Sequence, residues 1–183
     1  MPTRRTLLIG LLAGAGMASA AAARSAALPP PELAADLPGA TWRGAGSMRF
    51  FGLAVYDIRL WSPAALIGDV SAQPLALELV YARKVAGEQI ASRSLDEMRR
   101  IGSFGDTEAG TWLAAMMQIF PDVQAGDRLT GVQRPGQSAR FFFNGQRRGE
   151  VVDADFTRLF FGIWLSPRSS QPRLRAQLLG SAP

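Results

Sequence analysis

Arg49 and Tyr56 are of the types that can hold a small organic anion. A guanidinium gives a carboxylate or phenolate a charge-assisted bond, and a phenol hydroxyl adds a second donor. Both lie in extended, alternating sequence, on either side of an expected turn at Phe50 to Gly52. Arg49 stands just before that turn, so its side chain faces either a ligand or solvent. Tyr56 either meets a ligand or fills core with its hydroxyl at the edge. Further along, Asp57 and Arg59 share a side of the same strand and read as a surface ion pair, and Arg147-Arg148 read as a solvated tip.

Other chemistry is excluded by composition. The chain has no cysteine and no histidine, so it holds no thiolate nucleophile, no Ser-His-Asp triad, no zinc site of the usual type and no disulfide framework. No metal and no cofactor is expected. The fold must be held by its core, and 183 residues with 48% hydrophobic content can supply one for a single domain.

The elements that would position Arg49 and Tyr56 follow from periodicity. TWRGAGSMR from Thr41 and LAVYDIRLW from Leu53 are strands, and LALELVYA from Leu75 is a third. After Gly87 the period changes: Ile90, Leu95, Met98 and Ile101 line one side of a helix. A second helix carries Ala109, Trp112, Leu113, Met116, Met117 and Phe120 at helical spacing, with Asp106 as its cap and Pro121 after its end. Its aromatic and methionine stripe reads as core. Strands return at Arg128 to Gln133 and Ser138 to Phe143. Asn144-Gly145 then predicts a two-residue hairpin, because such a turn needs positive φ at both positions. A third helix from Asp153 carries Phe156, Leu159, Phe160, Ile163 and Trp164 on one stripe, and a short last helix spans Arg173 to Leu179. Strands, helices, strands and helices in that order predict an α+β domain, an antiparallel sheet with helices layered on one face. The gap between the layers is the default place for a ligand.

The N-terminus reads as a leader. Arg4-Arg5 precede an uncharged apolar run from Leu7 to Met17 that is too short for a permanent membrane span and ends in Ala18-Ser19-Ala20. Residues 1–23 are therefore expected to be a twin-arginine-like signal peptide, 24–38 a flexible linker and 39–183 the folded domain. Export to the periplasm by the Tat route follows, with Sec as the alternative route and a retained short anchor as the alternative fate. The net charge of +5 comes from arginines interspersed with acids, so no nucleic-acid partner is expected, and no permanent membrane span after cleavage.

Several segments in order, GAGSMR at Gly44, VYDIRLW at Val55, LELVYARKVAGEQI at Leu77, FPDVQAGDRLTGV at Phe120, FFFNGQRRGEVVDADFTRLFFGIWLSP at Phe141 and RAQLLG at Arg175, make the chain resemble the exported bacterial chalcone isomerase-like proteins over about residues 40 to 180. The resemblance implies a chalcone isomerase-like open-faced sandwich with an apolar cleft. In plant isomerases of this family an arginine, a threonine, a tyrosine and an asparagine support addition of a phenoxide to an enone, while fatty-acid-binding relatives keep an arginine and a tyrosine for the carboxylate. Carried over, the arginine position falls on Met48, with Arg49 one residue later. The threonine position is Tyr56, the tyrosine and asparagine positions fall near Ile90 and Glu97, and Thr157 is close to a further cleft position.

Most of the polar catalytic set is thus absent. Losing one donor aimed at a developing anion typically costs about 3 kcal/mol, and Glu97 would repel one. The resemblance implies a non-catalytic binder of a small amphipathic ligand, fatty acyl or aromatic carboxylate. The alternatives are an isomerase or lyase using Arg49 and Tyr56, and an envelope accessory protein acting through its surface.

Overall fold

The structure, a computed structural model, describes residues 28–180. The expected leader, residues 1–23, lies outside the described residues. Elements follow in the order α1 (Leu33–Asp36), β1 (Thr41–Phe50), β2 (Leu53–Ser62), a 3-10 turn (Val70–Ala72), β3 (Leu75–Tyr81), α2 (Gly87–Ile101), α3 (Asp106–Ile119), β4 (Arg128–Arg134), β5 (Ser138–Phe143), β6 (Gln146–Val151), α4 (Ala154–Leu165) and α5 (Pro172–Leu178). The six strands form one sheet in chain order, each antiparallel to the next. This is the expected α+β architecture.

Alternation decides what each face of the sheet carries. Ile58, Leu60, Leu75, Leu77, Leu79, Leu129 and Phe141 point to the front, where they form one core with the helices. α4 lies at the centre of that layer. Its sequence is apolar nearly all round, and every residue from Leu159 to Leu165 is buried, more than the single stripe expected, because sheet and α2 enclose it from different sides. The Asp153 side chain accepts from Phe156 N at 2.9 Å to cap α4, and also from Trp112 Nε1 at 3.0 Å, tying α3 to the same point. α3 itself starts differently from expectation. Gly105 is its cap residue and Asp106 its first helical residue, so the carboxylate meets the positive end of the helix dipole without a capping bond. Of the α3 stripe, Trp112 and Met116 are buried and Met117 is exposed.

α5 packs on β1, where the backbones approach too closely for a side chain: a Cβ at Gly44 would sit 2.2 Å from the Leu178 carbonyl oxygen. Both Asn144 (φ 48°) and Gly145 (φ 84°) have the positive φ predicted for the β5–β6 hairpin.

The back of the sheet departs from the sequence reading in two places. Of the stretch expected to be a linker, Leu33 and Leu37 instead pack down, buried with Trp61, Ala76, Val132 and Phe142 in a second small core. Asp57 and Arg59 do not pair with each other. Arg59 is directly across from Glu78 and bonds it, while Asp57 accepts from Ser47, because cross-strand partners stand closer than i, i+2 neighbours. Glu78 is buried and also accepts from Trp61 Nε1 at 3.1 Å. Glu32 accepts from Thr130 at 2.7 Å and Arg128 at 3.0 Å.

Candidate functional site

A cleft of about 400 Å³ opens between the front of the sheet and the helices. Its floor is Leu77, Leu79, Leu129, Gly131 and Phe141 from β3, β4 and β5. Ile90, Arg93, Ser94 and Glu97 of α2 form one wall, and Phe160, Ile163 and Trp164 of α4 the other. Met48, Phe50, Arg83 and Lys84 stand toward the β1–β2 end. The apolar lining follows from strand alternation and helix stripes meeting across a gap.

Tyr56 is the polar centre of this cleft. Its hydroxyl accepts from Trp164 Nε1 at 3.0 Å, which leaves its own hydrogen to be donated. Burial pushes the Tyr56 hydroxyl up to about 12, with the Trp164 bond pulling the other way. Tyr81 lies beside it, ring centroids 5.7 Å apart and edge to face, and burial raises its hydroxyl further, helped by Tyr56. Both phenols therefore stay protonated near neutrality and act as donors rather than bases.

The sequence-predicted residues divide four to two. Met48, Tyr56, Ile90 and Glu97 line the cleft. Arg49 does not: it stands between Met48 and Phe50, which both line the cleft, so strand alternation turns it away, and it is exposed, donating to the Gly52 carbonyl at 3.3 Å. Thr157 is buried inside α4, where its hydroxyl donates to the Asp153 carbonyl at 2.6 Å. The expected Arg49–Tyr56 grip is thus not assembled. Glu97 does reach the cleft, but in the company of cations. It accepts from Arg93, one turn earlier on α2, and lies 3.7 Å from Arg100. Arg93 balances Glu97 within the wall, and Arg100 adds a second cation from outside the lining, so the repulsion expected of Glu97 is offset.

Sequence reasoning missed Tyr81, Arg93 and Lys84 as lining residues. Tyr81 was legible, since it continues the Leu75, Leu77, Leu79 alternation onto the same face. Arg93 lies off the apolar stripe of Ile90, Leu95, Met98 and Ile101, but a long side chain reaches across a rim that periodicity assigns to solvent.

Over residues 34–180 the sequence matches the family described as chalcone isomerase-like. The chain belongs to that family. An uncharacterized protein of Haemophilus influenzae is 30% identical over 145 residues, 78% of this chain and 70% of that protein. Among solved structures, a fatty-acid binding protein of Arabidopsis thaliana superposes with a TM-score of 0.61 at 14% identity, covering 77% of this chain and 87% of that one. At that identity the likeness carries the fold. In chalcone isomerase-like terms, the sheet, the helical layer and the cleft between them are all present in this chain.

Proposed function

We propose that this chalcone isomerase-like protein is a non-catalytic binder of a small amphipathic molecule, a fatty acyl or aromatic carboxylate, in the sheet-helix cleft. The observation that carries this reading is the cleft's combination of open volume, apolar walls and a Tyr56 hydroxyl with a hydrogen to give. About 400 Å³ falls within the range of roughly 300–1,000 Å³ usual for small-ligand sites, most of them apolar with few polar anchors. The acyl chain lies along Leu77, Leu79, Phe141 and Phe160. The carboxylate takes the Tyr56 hydrogen and faces Arg93. The fold shared with a plant fatty-acid binding protein supports the same reading. Export through the twin-arginine-like leader puts this binding in the periplasm.

The isomerase reading built on Arg49 and Tyr56 loses support, because Arg49 is outside the cleft. The surface-accessory reading would be favoured by a cleft packed solid, and the cleft is open.

Native mass spectrometry of the purified protein tests the proposal. A bound mass that extracts as an acyl or aromatic carboxylate is the expected result. Protein that carries no ligand and takes up neither dodecanoate nor a cinnamate overturns it.

A further inference from the structure

The β1–β2 hairpin ends in an apolar tip that the fold does not require. Phe50, Phe51 and Leu53 are 58%, 90% and 58% exposed. Phe51 takes φ 47° and Gly52 φ 80°, the two-residue turn for which Asn-Gly is suited and which the chain itself uses at Asn144-Gly145. A bulky side chain in the left-handed region is strained, and a side chain exposed to this degree gains no packing to offset that strain. Phe51 therefore points to a use in the surroundings.

Two further features say what those surroundings are. The tip is continuous with the mouth of the cleft, since Phe50 belongs to both. It is also flanked by cations. Arg49 is the only charged residue between 48 and 56, and Arg83 and Lys84 are the only ones between 82 and 87. The two segments are neighbours, because Ala82 N bonds the Val55 carbonyl at 2.9 Å. None of Arg49, Arg83 and Lys84 is in an ion pair with a described residue. The nearby acid Asp127 is occupied by Asn144 and the Gln124 backbone.

We infer that the tip docks the protein on an anionic lipid bilayer, Phe50, Phe51 and Leu53 entering the interface while Arg49, Arg83 and Lys84 meet headgroup phosphates, so that an acyl chain passes between membrane and cleft at the mouth. Aromatic and aliphatic side chains ringed by basic ones are the chemistry of interfacial binding. This rests on the cleft being an acyl-binding site, and its test separates the two.

Phe51→Trp in the full chain reports on the tip itself, whatever else holds the protein to a vesicle. With vesicles of phosphatidylcholine and phosphatidylglycerol, its added fluorescence shifts to the blue and is quenched by brominated acyl chains. With phosphatidylcholine alone the response falls away. Phe51→Asp weakens the tip-dependent part of vesicle binding about tenfold, and Arg83→Glu with Lys84→Glu removes its dependence on salt. All these residues are exposed, so folding is spared. Calorimetry with soluble dodecanoate stays unchanged in the Phe51 variants, since Phe51 lies outside the cleft lining. Fluorescence that does not respond to anionic vesicles overturns docking, even where dodecanoate binds. A response equal on neutral vesicles overturns the role of the cations, and an apolar tip that responds only to a copurifying protein overturns the bilayer. Docking with no dodecanoate binding leaves the tip in place and sinks the cleft reading instead.

Discussion

Tyr56 shows how a single hydroxyl can serve a ligand when its acceptor side is already used. Trp164 Nε1 fixes the oxygen, and the phenol hydrogen is the remaining donor in an apolar space. Tyr56→Phe should therefore weaken carboxylate binding by about 5- to 10-fold, the worth of one hydrogen bond, while circular dichroism shows the fold intact. Since burial holds the hydroxyl up at about 12, binding should not fall as pH rises through the ordinary tyrosine value near 10. Titration of affinity against pH checks this. At this scale the sequence was half legible. Met48 and Tyr56, the positions carried over from the family resemblance, line the cleft, whereas Arg49 is excluded by the alternation of its own strand, because Met48 and Phe50 on either side of it face inward.

Helix positions depend on contacts that periodicity does not contain. The spans of α2, α3 and α4 were readable from apolar spacing, but the enclosure of α4 on several sides was not, because a stripe describes one partner and α4 has more. The packing of Leu33 and Leu37 against the sheet's back was hidden in the same way. A four-residue helix is too short to show a period, and Ala and Pro around it resemble a linker. Two substitutions test how the elements are held. Gly44→Ala places a Cβ within 2.2 Å of the Leu178 carbonyl oxygen, so α5 must move off β1, and denaturant titration should show a loss of about 1–3 kcal/mol. Asp153→Ala removes both the α4 cap and the acceptor of Trp112 Nε1. It should cost about 2 kcal/mol or more, from a cap and an orphaned indole together.

Across the molecule the two faces of the sheet do different work: the front holds the cleft, and the back is tied by ion pairs around Glu32, Glu78 and Glu150. At Glu150 burial pushes the carboxyl up, but the Ser138 hydroxyl and Arg140 outweigh it and hold it below the usual range. A lowered folded value means stability present above the unfolded carboxylate range and lost as pH falls through the folded one. Stability should accordingly be level from neutrality to about pH 5 and drop below it. Ser138→Ala should lower stability by about 1 kcal/mol at neutral pH, with the difference shrinking in acid. Chemical denaturation across pH measures both. The layered α+β plan was legible from the order of elements, while the back-face pairs were not, because cross-strand partners are fixed by register and not by spacing along one strand.

Calorimetric titration of dodecanoate into the delipidated protein at two temperatures tests the central claim most directly. Filling the apolar cleft should give saturable one-to-one binding with a negative heat-capacity change, and Tyr56→Phe should weaken it. Heats that never saturate, or binding whose enthalpy is the same at both temperatures and indifferent to Tyr56, would contradict the account.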